Sequence, residues 1–493
     1  MANNRRKTRR KTEPSRRMSF ISQHLAMTTD WCDVGKVTRI DVLPDEALLE
    51  IFDFYIKTSS PRRDSKWRVE PWQPLVHVCR RWRSVVLGST RRLNMRLVCS
   101  PKTSSRDTLD LWPALPLVID GYVSLYHVST DNVIEVLGQS NRVCKVVLYL
   151  GGRQLEQVLA AMQVPFPELT HLQLMSSGQM LPVAPDSFLD GSAPRLRIFR
   201  LDGIPFPGLP NLLLTATHLV SLSLENIPHS GYFSPEAIVA LISVLSNLEK
   251  LTLQFQSPQS HPDLETRPLP PSKLYVIPAL KSLHFKGVIE YLEDLVTFND
   301  TPQLDEIRIT FFNQIDFHTP QLARFINRTP KLTKHGAHVV FYDNYAHVAL
   351  RPLPGTLEIA TSCKEPDWQL SFIEQVCNSS LYPLSTVEDL YIEHRYNKAW
   401  KNDSVENSQW LQLLLPFTAV KNLFLSKEFA PGIAAALQEL VGGGVTQVLP
   451  GLQTIFVKGL EPWGASYKRI LKFVAARRKS GHPISIAIWD ENL

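Results

Sequence analysis

The residues able to do chemistry are scattered along this chain, and their spacing decides what each can do. Gly459 and Gly464 precede Ala465 and Ser466 in the outline of a phosphate loop. Such a loop needs a lysine to reach the phosphates, and Ala465 stands in its place, so the segment reads as a turn. Gly442, Gly443 and Gly444 lack the strand–turn–helix setting of a phosphate fingerprint and read as a flexible loop. His335 and His338 sit three apart without an HExxH frame or a third ligand, so no metal site is expected. No Gly-x-Ser-x-Gly elbow occurs. Cys32, Cys79, Cys99, Cys144, Cys363 and Cys377 contain no CxxC pair and are too sparse for a disulfide scaffold. They read as free thiols, buried or half-buried. The chain is expected to be no enzyme and to need no cofactor. Its work must lie in surfaces.

Those surfaces need elements to carry them. A chain of 493 residues is long enough for two or more folding units. With 44% apolar and 20% charged residues it has the composition of a globular protein. No uninterrupted apolar run is long enough to span a bilayer. The stretch from Met18 to Met27 is broken by Ser19, Ser22, Gln23 and His24, which excludes it as a secretory signal. A soluble protein of the cytoplasm, the nucleus or both is expected, with no membrane partner, so the sequons at Asn327 and Asn378 are not expected to be glycosylated. The net charge is +6, yet residues 1–17 alone hold eight Lys or Arg against Glu13. The basic character therefore belongs to a tail, and the body is close to neutral. Residues 1–38 read as a disordered, solvated tail, with a nuclear-localisation patch as the second reading. A nucleic-acid partner is not expected.

Residues 41–57 predict a helix. Pro44 suits its first position, where a missing N–H removes nothing, and Asp45 and Glu46 favour the positive end of the dipole. Leu48, Ile51, Phe52 and Tyr55 recur at three- and four-residue steps. A second helix is predicted over roughly Gln73 to Leu87, with Leu75, Val78, Cys79, Trp82, Val85 and Val86 on one side and Arg80, Arg81 and Arg83 on the other. A third, shorter element follows over Thr90 to Cys99. Three such elements cannot bury much apolar area by themselves.

The ordered words Leu43-Pro44-Asp45-Glu46, Leu49-x-Ile51-Phe52 and Val78-Cys79-x-x-Trp82-Arg83 resemble an F-box over residues 39–99. That resemblance implies a three-helix motif that docks the small adaptor subunit of SCF-type ubiquitin ligases and, through it, a cullin. The docking positions it implies are Leu43 and Pro44 at the helix start, Leu48, Ile51 and Phe52 on the first stripe, and Val78, Cys79 and Trp82 on the second. The segment from Thr58 to Pro74 departs from the pattern by being longer and more basic. The whole chain, including Trp72, Pro101-Lys102-Thr103 and Trp112 to Pro116, resembles the mushroom-type fungal family of F-box-like proteins.

Beyond residue 160 the phrase L-x-x-L-x-L returns. It starts at Leu169, Leu196, Leu219, Leu248, Leu280 and Leu304, then at Val387, Val420 and Leu452. Within each of these two runs, successive starts lie roughly 23 to 33 residues apart, near the ~20–29 of leucine-rich repeats. The stretch around Leu332 to Leu353 is degenerate, with Leu357-Glu-Ile359 as a worn copy. The last two apolar positions of each phrase point inward from a short strand, and each unit needs neighbours to cover its inner face. Helices are predicted between copies, as in Pro235 to Leu245, Leu292 to Phe298, Leu322 to Asn327, Ala434 to Val441 and Ile470 to Arg478. The fold class expected is α/β: a short three-helix F-box, then an irregular αβ leucine-rich-repeat solenoid with a parallel sheet on its concave side. An ordinary doubly wound α/β domain is the competing reading, and the repeated phrase favours the solenoid. Residues 100–160, with LPLVID and RVCKVVLYL as strands, form the connector and N-terminal cap, and residues 161–493 form the repeat domain.

The function these readings imply is substrate recognition for an SCF-type ligase, with a leucine-rich-repeat scaffold outside any ligase as the alternative. The target protein is not legible. Tyr232, Phe233, Tyr342, Tyr345, Tyr396 and Trp400 read as packed edges as readily as binding hot spots.

Overall fold

The computed structural model describes residues 43–58, 72–88, 95–97, 99, 104–111, 115–121, 128–178, 181–258, 274–312, 317–329, 336–351, 356–379, 381, 384–395, 405–459 and 464–489. The basic tail, the greater part of the segment 58–74 and His335 lie outside them. The chain divides into two compact units, 1–92 and 93–493.

In the first unit, α1 (Asp45–Thr58), α2 (Gln73–Val76) and α3 (Arg80–Gly88) are helical. The single helix predicted over Gln73–Leu87 is two, broken at His77–Cys79. The break is held by side chains. Cys79 Sγ accepts the Trp82 N–H at 3.4 Å, capping α3, and Arg83 Nε donates to the Val76 carbonyl at 2.9 Å, closing α2. The element predicted over Thr90–Cys99 is a strand over its described part, β1 (Met95–Leu97), and it pairs in parallel with Leu117–Ile119. Three helices are present, but the third is cut from the second, and the compact unit ends at Arg92.

The second unit is mixed α/β. After β1 come α4 (Ser105–Leu111), β2 (Leu117–Asp120), α5 (Thr130–Leu137), β3 (Val143–Leu150) and α6 (Gly152–Ala161). These residues carry strands of the main sheet, among them the two expected over LPLVID and RVCKVVLYL. Next are β4 (His171–Ser176), β5 (Ile198–Asp202), α7 (Leu209–Thr215), β6 (Ser221–Ile227), α8 (Pro235–Ile242) and β7 (Lys250–Phe255). Then β8 (Tyr275–Val276), β9 (Ser282–Gly287), α9 (Ile289–Thr297), β10 (Asn299–Asp300), β11 (Glu306–Phe312) and α10 (Pro320–Arg328) follow. The chain continues with β12 (Gly336–Phe341), β13 (Ala346–Arg351), β14 (Thr356–Ser362) and α11 (Pro366–Asn378). It ends with β15 (Asp389–His394), α12 (Asn407–Leu414), β16 (Asn422–Leu425), α13 (Ala430–Glu439), β17 (Thr454–Lys458), α14 (Ala465–Lys479) and β18 (Ser485–Trp489). Every copy of the leucine phrase named above carries a strand on its last positions.

Sixteen strands form one sheet in the order β1 to β7, β9, β11, β14, β13, β12 and β15 to β18, while β8 and β10 pair separately. Neighbours are parallel with one exception. β13 runs antiparallel to both β12 and β14, so the expected parallel sheet is interrupted by a meander inserted in reverse order. The segment 336–351 has no L-x-x-L-x-L phrase because a hairpin replaces it. Asp343 and Asn344 make the bend between its strands, closed by the Tyr342 N–H donating to the Tyr345 carbonyl at 2.8 Å. The worn copy at Leu357-Glu-Ile359 is a full strand, β14, in parallel register with β11.

The inward positions line up across strands. Leu172, Phe199, Leu222, Leu251, Leu283, Ile307 and Leu357 are successive register partners and all are buried. Leu390, Leu423 and Ile455 continue this row beyond the meander. Each such side chain contributes about 1.5–3 kcal/mol by leaving water. Consecutive helices touch one another, α4 through α6, α7 through α10 and α11 through α14, and make the second layer. Carboxylate capping ties that layer together: Glu293 on α9 accepts the N–H groups of Gln321 and Leu322 at 2.9 and 2.8 Å, at the start of α10. Near the far end, buried Arg477 donates to the carbonyls of Val445 and Pro450 at 3.1 Å each, which pins the loop before β17.

Candidate protein-interaction surfaces

The helical unit has an inside and an outside. Leu48, Phe52, Trp72, Leu75, Val76, Val85 and Val86 are buried, and the Phe52 and Trp82 rings lie 4.7 Å apart. Arg81 clamps the start of α1 by an ion pair to Asp45 at 2.7 Å and a bond to the Leu43 carbonyl. The residues that the F-box resemblance implied for docking therefore separate. Leu48 and Phe52 are buried in the unit's own core. Leu43 and Trp82 are half-buried. Pro44, Ile51, Val78 and Cys79 are exposed, Ile51 at 46% and Val78 at 59%. Sequence reasoning missed Phe54, which is 71% exposed and adjoins exposed Tyr55. The signal was available. A helix apolar on more than one side has a second apolar face in addition to the one it packs inward.

In the repeat domain the strand residues between the buried ones are half-exposed and form a helix-free face. Over its first part this face is polar, and several of its groups pair with one another. Arg200 pairs with Glu225 at 2.7 Å, and Ser223 donates to the same carboxylate at 2.6 Å. Arg308 pairs with Glu306 at 2.7 Å, and the Ser282 hydroxyl donates to Glu306 at 2.8 Å. Burial pushes the Glu306 carboxyl up, but Ser282, Arg308 and His284 together draw it below the usual range.

Beyond the meander the same register row turns aromatic. His338, Tyr391, Phe424 and Phe456 are partners on β12, β15, β16 and β17. Their rings stack in sequence at 4.3, 4.2 and 4.5 Å, with planes within 8° of parallel. Trp489 on β18 meets Phe424 and Tyr391 at steep angles, 5.7 and 5.9 Å away. Past the row, at the C-terminal ends of β15 to β18, lies a groove of about 540 Å³ lined by Glu393, Arg395, Lys427, Glu428, Lys458 and Trp489, among others. Arg395 Nε donates to Glu393 at 2.9 Å, and His338 Nδ1 stands 3.8 Å from that carboxylate. His338 and Arg395 hold the Glu393 carboxyl at about 2 against the opposing effect of burial.

The other residues singled out in the sequence fall into structural roles. Gly459 turns the chain with φ of 59° between β17 and α14, in a strand–turn–helix setting, but Ala465 still occupies the place of the phosphate lysine. His338 belongs to the aromatic row. Tyr232 packs on Phe255 and Tyr291, and Tyr342 stacks on Tyr345, while Tyr396 and Trp400 lie outside the described residues. The thiols of Cys99 and Cys377 are buried, and burial raises both, Cys99 to about 11. Cys79 is exposed. Among the described residues no group of three or more His, Cys, Asp or Glu is placed to hold a metal ion. No helix among them is long and apolar enough to cross a membrane.

No family model matches the chain, and no curated protein matches it. Among solved structures, the leucine-rich repeat-containing protein LegL7 from Legionella pneumophila is similar at 12% identity and a TM-score of 0.27, over 77% of this chain and 97% of that one. The repeat architecture stands on the strand register itself. Outside the meander the strands repeat in parallel, each adding buried apolar residues to a shared row.

Proposed function

We propose that this chain is a non-catalytic adaptor. Its helical unit engages the small adaptor subunit of an SCF-type ubiquitin ligase, and through it a cullin, while the repeat domain holds a target protein. The observation that carries the reading is the outward apolar set Ile51, Phe54, Tyr55 and Val78, on a unit whose core is already filled by Leu48, Phe52, Trp72 and Val86. Exposed apolar side chains grouped on one small unit mark an interaction site. An adaptor of this kind does its work by proximity, raising the concentration of a bound target near the ubiquitin-carrying enzyme.

The test is capture of purified SCF adaptor subunit by the full chain. Ile51→Asp with Val78→Asp leaves the buried set untouched. It is expected to weaken capture by about 100-fold or more, since burying unpaired charge at two anchors costs at least ~3 kcal/mol. Unchanged capture by this variant, or no capture by the unaltered chain, overturns the ligase reading and leaves the scaffold outside any ligase.

A further inference from the structure

We propose that the free edge of β18, the last strand of the sheet, is the target-binding site, and that it takes an extended, acidic peptide segment as one more strand. The proposal deepens the reading of the repeat domain as the part that holds a target, and it rests on that reading.

The backbone sets the kind of occupant. β18 runs parallel to β17, with Ser485 to Trp489 opposite Thr454 to Lys458, and among the described residues it pairs with no other strand. The Ser485 N–H donates to the Gln453 carbonyl at 2.8 Å. Successive residues of a strand turn their backbone groups to opposite edges, so Ile486 and Ile488 direct their N–H and C=O groups away from the sheet. Proteins blunt such edges with charged side chains, proline, bulges or very short strands. β18 contains no charge, no proline and no break in register. β1, at the opposite end of the sheet, is three residues long with Arg96 in its middle. The side chains of β18 are also left unfinished. Ile486 and Ile488 are register partners of Ile455 and Val457, which are buried. One strand later the row runs out, with Ile486 half-buried and Ile488 68% exposed. An added strand supplies the missing backbone partners and covers Ile488, as in recognition by strand addition. A nucleic acid does neither.

The last helix sets the charge of that strand. α14 precedes β18, follows α13 in the helix layer, and buries Ile470, Phe473 and Arg477. Its remaining surface carries Lys468, Arg469, Lys472, Arg478 and Lys479, all exposed, and the helix contains no acid. Among the described residues none of these five cations takes part in an ion pair or a side-chain hydrogen bond. Lys468, Lys472 and Lys479 share one stripe at helical spacing and span about 16 Å, the length of about five strand residues. A second copy pairing through its own β18 would bring two such helices to one seam, where their like charges repel. An acidic strand is attracted by the same charges.

The experiment is fluorescence anisotropy with the full chain and four labelled probes. The first is a peptide of alternating threonine and isoleucine flanked at both ends by glutamates. The others are its lysine-flanked counterpart, the glutamate peptide N-methylated at its central amides, and oligothymidine. The glutamate peptide is expected to bind about tenfold or more tighter than the other three, with affinity falling as salt rises. Ile488→Pro removes an outward N–H and no bond of the sheet, and is expected to weaken that binding about tenfold or more. Lys468→Glu with Lys472→Glu and Lys479→Glu, a surface change, is expected to abolish the preference for glutamate over lysine. Equal binding of the lysine-flanked or methylated peptide, tighter binding of oligothymidine, or indifference to both variants overturns the proposal. So does a dimer of the unaltered chain in sedimentation that Ile488→Pro dissolves, which would give the edge to a second copy. Capture of the SCF adaptor subunit, measured in parallel, reads the helical unit. Loss of one readout with the other intact therefore separates failure of the edge assignment from failure of the ligase reading.

Discussion

The two halves of the helix-free face share one sheet and one register, yet they solve the same problem differently. On β5 to β11 the middle residues of the strands are polar, and several pair with one another, across strands as Arg200 does with Glu225 or along one strand as Arg308 does with Glu306. On β12 and β15 to β17 the corresponding residues are aromatic and are covered by one another. The backbone does not choose between these solutions, because a half-exposed strand position tolerates either a cross-strand ion pair or a ring. What differs is what remains to offer a partner. The polar half uses much of its hydrogen-bonding capacity internally, whereas the aromatic half presents a stacked row of rings.

The comparison breaks if the halves are not one folded body. Leu222→Ala and Leu423→Ala remove equivalent members of the buried row on either side of the meander, and each is expected to cost about 3 kcal/mol. Urea unfolding followed by circular dichroism should give one transition, shifted equally by both. Two transitions, each moved by one variant, would mean that the halves unfold separately.

The next effect sharpens the comparison electrostatically. Glu393 is held at about 2 in the folded chain, below the ordinary carboxylate range. A depressed folded value gives stability that is present above the unfolded value near ~4.3 and is lost as pH falls towards 2. Glu393→Gln should therefore lower stability at neutral pH by on the order of 2 kcal/mol and flatten the acid limb between about pH 4.5 and 2. An acid limb identical to that of the unaltered chain refutes this. The smallest effect belongs to the polar half. Arg200→Ala breaks a half-exposed pair and should cost less than ~1 kcal/mol by the same unfolding measurement.

Much of this was legible in the residues. The phrase at Leu169, Leu219 or Val420 placed its strand because two inward apolar positions with one residue between them can face a core only as a strand. The hairpin over β12 and β13 was hidden because GAHVVF and AHVALR lack that phrase and lie beside a stretch with no copy of it. Alternation alone does not give strand direction. Within the helical unit, α1 is apolar on more than one side, so Leu48 and Phe52 could not be separated from Ile51 and Phe54 by spacing. The aromatic row left a trace that was overlooked. Leu390-Tyr-Ile392, Leu423-Phe-Leu425 and Ile455-Phe-Val457 each put an aromatic residue between the two inward positions, where the earlier copies have Gln173, Arg200, Ser223 and Thr252. The charges around the groove come from strand ends about thirty residues apart, and only the register brings them together.

The reversed meander also constrains how the chain assembles. In an array built by adding one neighbour at a time, each new unit finds its docking edge already finished. Here β12 leaves β11 before that edge is filled, and β14, emerging last of the three, must occupy the slot beside β11 while β12 receives β15 on its far side. Growth from the amino end therefore stalls until the hairpin has closed locally and seated as a block. The middle of the sheet thus acts as a keystone, whose placement joins two stacks that could otherwise only lengthen independently.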